Sequence, residues 1–315
     1  MKRSEPNTRP PSRDGVGASC VALSSMHTRD EANPDGACIL LLDFLARRMP
    51  HVPREVWHRR MARGDVVDGQ GQGLPPDYPY RPAGHVYYFR ELAAETPIPF
   101  EAQILLEDDH LVVVDKPHFL PVMPSGKYLQ ETVLVRLKRQ LKLDTLVPVH
   151  RIDRDTAGLV IFSKQPQSRG MYCALFRERQ VQKIYQAIAP WRADLELPKT
   201  LQSRIVPAQH FMLQQEVAGP PNALTHLEVL EVRGNQARYQ LIPLTGKRHQ
   251  LRVHMASLGL PILGDGLYPT LTPEGQIDHA QPLQLLAQCL SFTDPVTHEP
   301  RRLTSRRQLA WTVHG

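Results

Sequence analysis

Residues 150–164, HRIDRDTAGLVIFSK, constrain this chain more than any other stretch. The first half places two arginines, Arg151 and Arg154, and two aspartates, Asp153 and Asp155, beside His150. The second half, Gly158 to Phe162, is an apolar run of the length of a buried strand. Charges driven toward a low-dielectric interior must be paired or hydrogen-bonded. A fold that buries the run therefore has to neutralise the cluster at its end. Two readings meet that demand equally well. One is a structural ion-pair knot that caps a strand. The other is an active site, with a carboxylate fixed by a rigid strand and tuned by neighbouring guanidinium groups.

The chain has 315 residues, which suggests two domains. With 41% hydrophobic and 22% charged residues it has the material for an ordinary globular core. A formal charge of +6 favours a polyanionic partner. Cys20, Cys38, Cys173 and Cys289 stand far apart, and no C-x-x-C pair supports a zinc ribbon or a redox motif. That pattern fits a reduced, cytoplasmic setting. No apolar run approaches the roughly 20 residues that span a bilayer, and the basic N-terminus lacks the apolar segment of a signal peptide.

Residues 1–36 read as a disordered, solvated tail, with Pro6, Pro10, Pro11 and Pro34 among polar residues and with Arg3, Arg9 and Arg13 in solvent. A small module follows over residues 37–95. Ile39 to Ala46 opens a short helix, and Pro50 and Pro53 break it. Arg54 to Arg63 predicts a second helix with Val56, Trp57 and Met61 on its apolar side and Arg54, Arg59, Arg60 and Arg63 on the other. Gly64 suits a helix C-terminus. Val66-Val67-Asp68-Gly69 predicts a strand entering a turn, and Gly84 to Phe89 a second strand. This order resembles S4-type RNA-binding modules, interrupted by the proline-rich stretch Leu74 to Pro82.

A larger domain is expected over residues 96–315. Leu111 to Val114 is a β run ending at Asp115-Lys116-Pro117. Glu131 to Leu141 and Gln167 to Arg179 have helical spacing, and Gln182 to Ala189 alternates as a strand. Leu224 to Val232 and Ala237 to Ile242 predict a strand pair around the Arg233-Gly234-Asn235 turn. Arg248 to Leu258 predicts a helix closed by Gly259, and Leu283 to Phe292 a late strand. Strands outnumber helices and several are sequential neighbours. The expected class is α+β, a largely antiparallel mixed sheet flanked by helices, with the small α/β module attached.

Thr245 to His254, TGKRHQLRVH, is a second dense polar cluster. Gly246-Lys247 lacks the leading glycine of a nucleotide-binding loop, because Leu241 stands in its place. His249 and His254 are five apart, off a common helix face, and no glutamate accompanies them, which argues against zinc. What remains is a cationic helix start suited to a phosphate or to a facing carboxylate.

Taken together, these segments resemble the RluA family of RNA pseudouridine synthases, whose signature is H-R-L-D-x-x-T-S-G-L. His150-Arg151-Ile152-Asp153 carries it with Ile for Leu, and Thr156-Ala157-Gly158 with Ala for Ser. Val113-Val114-Asp115-Lys116-Pro117 resembles the family's strand ending in N-K-P, and Lys183-Ile184-Tyr185-Gln186-Ala187 its K-x-Y-x-A strand. Thr245 to His254 resembles T-G-R-x-H-Q-I-R-V-H, and Pro261-Ile262-Leu263-Gly264-Asp265 continues that block. The likeness runs over residues 100–310. It departs in the late strand, where Leu285-Leu286-Ala287 puts leucine at the histidine of L-L-H-A.

The resemblance implies a pseudouridine synthase fold and isomerisation of a uridine in ribosomal or transfer RNA, with no cofactor or metal. Asp153 takes the place of the essential aspartate, Arg252 of its partner arginine, and Tyr185 of the tyrosine that packs against the base and is expected to help remove the proton at carbon five. Flipping the uridine out of its stack gives Arg151 the role of filling the gap or gripping the displaced strand. Arg154 and Lys164 are expected at phosphates, and Lys116, Lys247, Arg248, His249 and Gln250 on the substrate side. His150 is grouped with these as a positioning residue, and Asp155 is expected in an ion pair. The competing reading is a non-catalytic RNA-binding protein or chaperone on the same fold. A monomer is the expected state.

Overall fold

The computed structural model describes residues 10–23, 40–92, 94–196, 200–273 and 278–311. These fall into two compact units. The first comprises the chain up to Glu95 with residues 126–130 and 138–144, and the second holds the remainder.

In the first unit, β1 (Ser19–Ala22), α1 (Leu41–Arg48), α2 (Arg54–Ala62), β2 (Val66–Val67) and β3 (His85–Tyr88) enclose a small core. The strands form an antiparallel sheet in the order β1-β3-β2. Leu41, Phe44 and Leu45 of α1 pack on Trp57 and Met61 of α2, with Val66 and Val86 from the sheet. The expected disordered tail needs correction here. Ser19–Ala22 pairs with β3 from Ser19↔Tyr88 to Ala22↔His85, Val16 is buried, and Arg13 bonds Asp65 at 2.6 Å and lies over the Phe89 ring. β2 covers only two residues of β3, so the other edge of β3 offers unpaired peptide groups that a short segment can satisfy. The rest of that tail, residues 1–9 and 24–36, lies outside the described residues, as do Arg3, Arg9 and Cys38.

The chain continues through β4 (Gln103–Glu107), β5 (Leu111–Lys116), α3 (Val133–Leu141), β6 (Val147–Pro148), β7 (Ala157–Ser163) and α4 (Pro166–Arg177). Then come β8 (Gln182–Pro190), β9 (Thr200–Pro207), β10 (Gln214–Val217), β11 (Ala223–Arg233), β12 (Gln236–Pro243), α5 (Gln250–Ser257), β13 (Leu285–Thr293) and β14 (Pro300–Thr304). One large sheet runs β10-β9-β11-β12-β8-β13-β7-β5-β4, with β14 on β13 and β6 on β7. Its pairings are antiparallel except β7 with β13, where Leu286 faces Ala157 and Ala287 faces Gly158. β5 and β7 are buried along their whole length, which explains their continuous rather than alternating apolar runs.

Gly158 makes the parallel junction possible. Its φ is +109°, and a Cβ there would lie 2.3 Å from the Ala287 carbonyl oxygen. Only glycine permits that approach. The helices cover the sheet with apolar side chains, Tyr172 and Leu175 of α4 lying against Leu159 and Ile161 of β7, while Met171 of the same helix is exposed. Leu251 and Met255 of α5 pack against Leu227 and Leu241. No helix among the described residues is long and apolar enough to cross a membrane.

Candidate active site

Asp153 sits on the short connection that leads into β7. Its side chain is 24% exposed, whereas the Arg252 side chain facing it is 1% exposed. Arg252 Nη1 lies 3.4 Å from Asp153 Oδ2. The guanidinium is oriented from the other side by Asp265, which accepts from Nε at 2.9 Å and from Nη2 at 2.6 Å. Asp265 is itself fixed by the backbone N–H groups of Leu267 and Tyr268. Burial opposes the guanidinium's charge, but Asp265 and then Asp153 and Asp155 outweigh it and hold Arg252 above the usual arginine range. A bidentate partner of this kind leaves one edge of the fork free for a second carboxylate.

The other oxygen of Asp153 faces His249, whose Nε2 is 3.8 Å from Oδ1. His249 caps the start of α5 in a left-handed conformation, φ +57°, and is buried. Its Nδ1 is 2.9 Å from the Tyr268 hydroxyl. That hydroxyl accepts from Gln214 N–H at 2.7 Å, a group that can only donate. The phenolic proton is thereby free for Nδ1, which places the imidazole proton on Nε2, toward Asp153. Burial lowers the His249 pKa, with the Asp153 charge opposing, so the ring lies near the carboxylate as a neutral imidazole at physiological pH. Tyr185, on β8, completes the surroundings. Burial, and secondarily the charge of Asp153, push its phenol above the ordinary tyrosine range. The arrangement is one carboxylate facing a buried guanidinium and a neutral imidazole, near a protonated phenol. It suits nucleophilic or proton-transfer chemistry at a single carbon centre.

The comparisons with known proteins bear on this chemistry. Residues 110–257 match the family model described as RNA pseudouridylate synthase. An uncharacterized RNA pseudouridine synthase of Synechocystis is 30% identical, covering 72% of this chain and 79% of that protein. A dual-specificity RNA pseudouridine synthase RluA of Pasteurella multocida is 35% identical, covering 61% and 87%. This chain belongs to the RluA-type RNA pseudouridine synthases. Among solved structures, human RNA pseudouridylate synthase domain containing 4 superposes with a TM-score of 0.51 at 28% identity, over 66% of this chain and 88% of that one. The chain is an RNA pseudouridine synthase, an isomerase, with the mixed and mostly antiparallel sheet of that fold.

Within the synthase, several residues expected on the substrate side do other work. Lys116 is fully buried and donates to the carbonyls of Pro117, Leu120 and Arg154 at 2.8–2.9 Å. Burial holds its ammonium down to about 7, against the charges of Asp155 and Asp153. It ties the end of β5 to the Asp153 connection, with no exposure to solvent. Lys164 bonds Glu107 at 2.9 Å and the Asp108 carbonyl at 2.7 Å. The Gln250 side chain is buried, where it accepts from Thr245 and from Lys247 N–H and donates to Leu224 and Thr225. His150 accepts the Ile161 N–H on Nε2 at 3.1 Å and stacks on Phe176. Burial, then Lys183, lowers its pKa to about 3, so it is a neutral strand brace rather than an RNA contact. Each of these polar groups was drawn inward because a backbone or side-chain partner awaited it there.

Arg151 and Lys247 are exposed, and Arg154 pairs with Asp155 at 2.8 Å, the ion pair expected of Asp155. Arg248 is exposed but donates to the Phe211 and Met212 carbonyls. In the first unit, Arg54 bonds Asp43 at 2.8 Å, and Arg63 bonds both Glu91 and Asp65. Arg60 lies over the Trp57 ring, and Arg59 is exposed. Asp265 and Tyr268 are the residues that the pattern analysis did not single out. Asp265 stood in the matched block, but no local signal joins it to Arg252. Leu286, at the histidine of the family pattern, is buried in the parallel junction.

Proposed function

We propose that this enzyme isomerises one uridine of a ribosomal or transfer RNA, flipping it out of its stack to meet Asp153. The meeting of Asp153 with Arg252, itself held by Asp265, carries this reading. A carboxylate facing a polyanion weakens binding, so a protein built only to hold RNA gains nothing from it. The reaction breaks the bond from ribose to the base nitrogen, turns the base, and rejoins it through carbon. Nothing is oxidised or hydrolysed on balance. Asp153 either attacks the sugar carbon or takes a proton from the sugar, and in both routes it works ionised. Arg252 holds one of its oxygens, and the neutral His249 lies near the other. Tyr185, kept protonated, is better suited to packing against the base than to accepting the proton from carbon five.

Flipping the base costs a few kcal/mol, least in a loop, and the exposed Arg151 fills the gap or grips the displaced strand. The first unit, with its two short helices and the Val66-to-Gly69 turn, serves as the S4-like grip on RNA, and Arg59 is its outward cation. An S4-like module weights the choice toward ribosomal RNA. The name of the RluA relative, dual-specificity, keeps transfer RNA in view. We take the enzyme to act as a cytoplasmic monomer.

The test is carbodiimide mapping of pseudouridines in total RNA from cells with and without the gene, followed by complementation. Wild type restores the lost site, and Asp153→Ala does not, while keeping the fold and most RNA affinity. An Asp153→Ala protein that forms pseudouridine at the wild-type rate rejects the assignment.

A further inference from the structure

Phe211 is 77% exposed, well beyond the 45% of Met171, the next most exposed large apolar side chain among the described residues. A single exposed ring is common on protein surfaces and by itself says little. Its setting says more. Phe211 stands at the tip of the β9–β10 hairpin, stacked on His210 with ring centroids 5.0 Å apart. The main chain beneath it is clamped. Arg248 donates to the Phe211 carbonyl at 3.1 Å and to the Met212 carbonyl at 3.0 Å. Gln214 N–H, where β10 begins, is held by the Tyr268 hydroxyl at 2.7 Å.

Both clamps adjoin the candidate active site. Arg248 directly precedes His249, which faces Asp153, and Tyr268 is hydrogen-bonded to His249. The exposed ring is thus tied to the reactive carboxylate through a short series of contacts. Arg248 places positive charge beside it, and both Arg248 and its chain neighbour Lys247 are exposed. An aromatic face set among cations and held rigidly suits a nucleobase, whose π-face stacks on it and whose phosphate meets the charge. A protein partner would find one ring, far less than the roughly 1,000 Å² that a specific protein interface buries.

We propose that the His210–Phe211 pair is a stacking platform for an unpaired base next to the target uridine. This rests on reading Asp153 as the group that receives a flipped uridine. Extruding that uridine deprives its neighbour of a stacking partner, and Phe211 replaces the lost face.

The experiment uses the full chain and two probes, a fluorescein-labelled RNA stem-loop with a uridine-rich loop and an uninterrupted RNA duplex of the same length. Phe211→Ala is expected to weaken stem-loop binding about tenfold. It leaves duplex binding at the wild-type value and keeps the slope of log affinity against log salt. Phe211→Trp retains stem-loop binding, because the face is preserved. The proposal is overturned if Phe211→Ala binds the stem-loop like wild type, weakens both probes equally, or changes the salt slope. Pseudouridine formation reports separately on Asp153. If only the platform is wrong, wild type still modifies RNA and Asp153→Ala does not. If the reading of Asp153 is wrong, Asp153→Ala modifies RNA at the wild-type rate.

Discussion

Arg252 is buried with two hydrogen bonds to Asp265 and one longer approach to Asp153. Replacing Asp265 by asparagine removes the charge that fixes the guanidinium while keeping the side chain's shape. A displacement of about 1 Å at a reacting group costs on the order of a hundredfold in rate, and loss of one partner of a buried ion pair costs about 3 kcal/mol. Asp265→Asn is therefore expected to lower single-turnover pseudouridine formation about a hundredfold and to lower the urea midpoint. Wild-type values for both would show that Asp265 does not orient Arg252. His150 makes a different prediction. Its folded pKa of about 3 lies below the roughly 6.5 of an unfolded histidine, so between these values the unfolded chain binds more protons. The stability it contributes is complete above pH 6.5 and is lost as pH falls toward 3. Glutamine retains an acceptor for Ile161 N–H without titrating. The wild-type urea midpoint should fall more steeply between pH 7 and 4.5 than that of His150→Gln, and equal slopes would refute the assignment.

Among the elements, the parallel contact of β7 with β13 positions the Asp153 connection. Gly158→Ala would press a methyl group into the Ala287 carbonyl at a φ closed to other residues. Strain and overpacking together cost about 3 kcal/mol. The variant should show a clearly lower urea midpoint and reduced activity. Gly170 supplies the contrast. It lies exposed within α4 with open space at its Cβ, so Gly170→Ala should stabilise by about 0.5–1 kcal/mol. If the two substitutions behaved alike, the close approach at Gly158 would not be what the strand pair depends on. Strands with strong apolar runs or alternation, such as β5, β7, β8 and β12, were readable from sequence. β9, β10 and β14 were not, because Thr200–Pro207, Gln214–Val217 and Pro300–Thr304 are polar and gain their conformation from the neighbour they pair with.

At the scale of the molecule, the positive charge is unevenly available. Arg54 and Arg63 are engaged by Asp43, Asp65 and Glu91, whereas Arg59 faces solvent. If the first unit grips RNA, Arg59→Ala should reduce the slope of log affinity against log salt by about one. Arg54→Ala and Arg63→Ala should change it less. Identical salt slopes for wild type and Arg59→Ala would remove this unit from the RNA path.

The chain's own order of residues was enough to bring Asp153, Tyr185 and Arg252 forward as candidates, because the short runs that hold them resemble the family's, and folding brings Arg252 to 3.4 Å from Asp153. The same runs named the α+β class through their apolar periods. Folding alone determined which neighbouring polar groups turn inward to partners and which stay exposed. Lys116, Lys164, His150 and Gln250 sit in those same runs, yet each turns to a carbonyl, carboxylate or peptide group within its reach. Asp265 becomes the support of Arg252 only after the loop beyond α5 returns to it. A linear pattern records which side chains carry charge or hydrogen-bonding atoms. Whether a partner stands within 3 Å of them is a property of the packed chain.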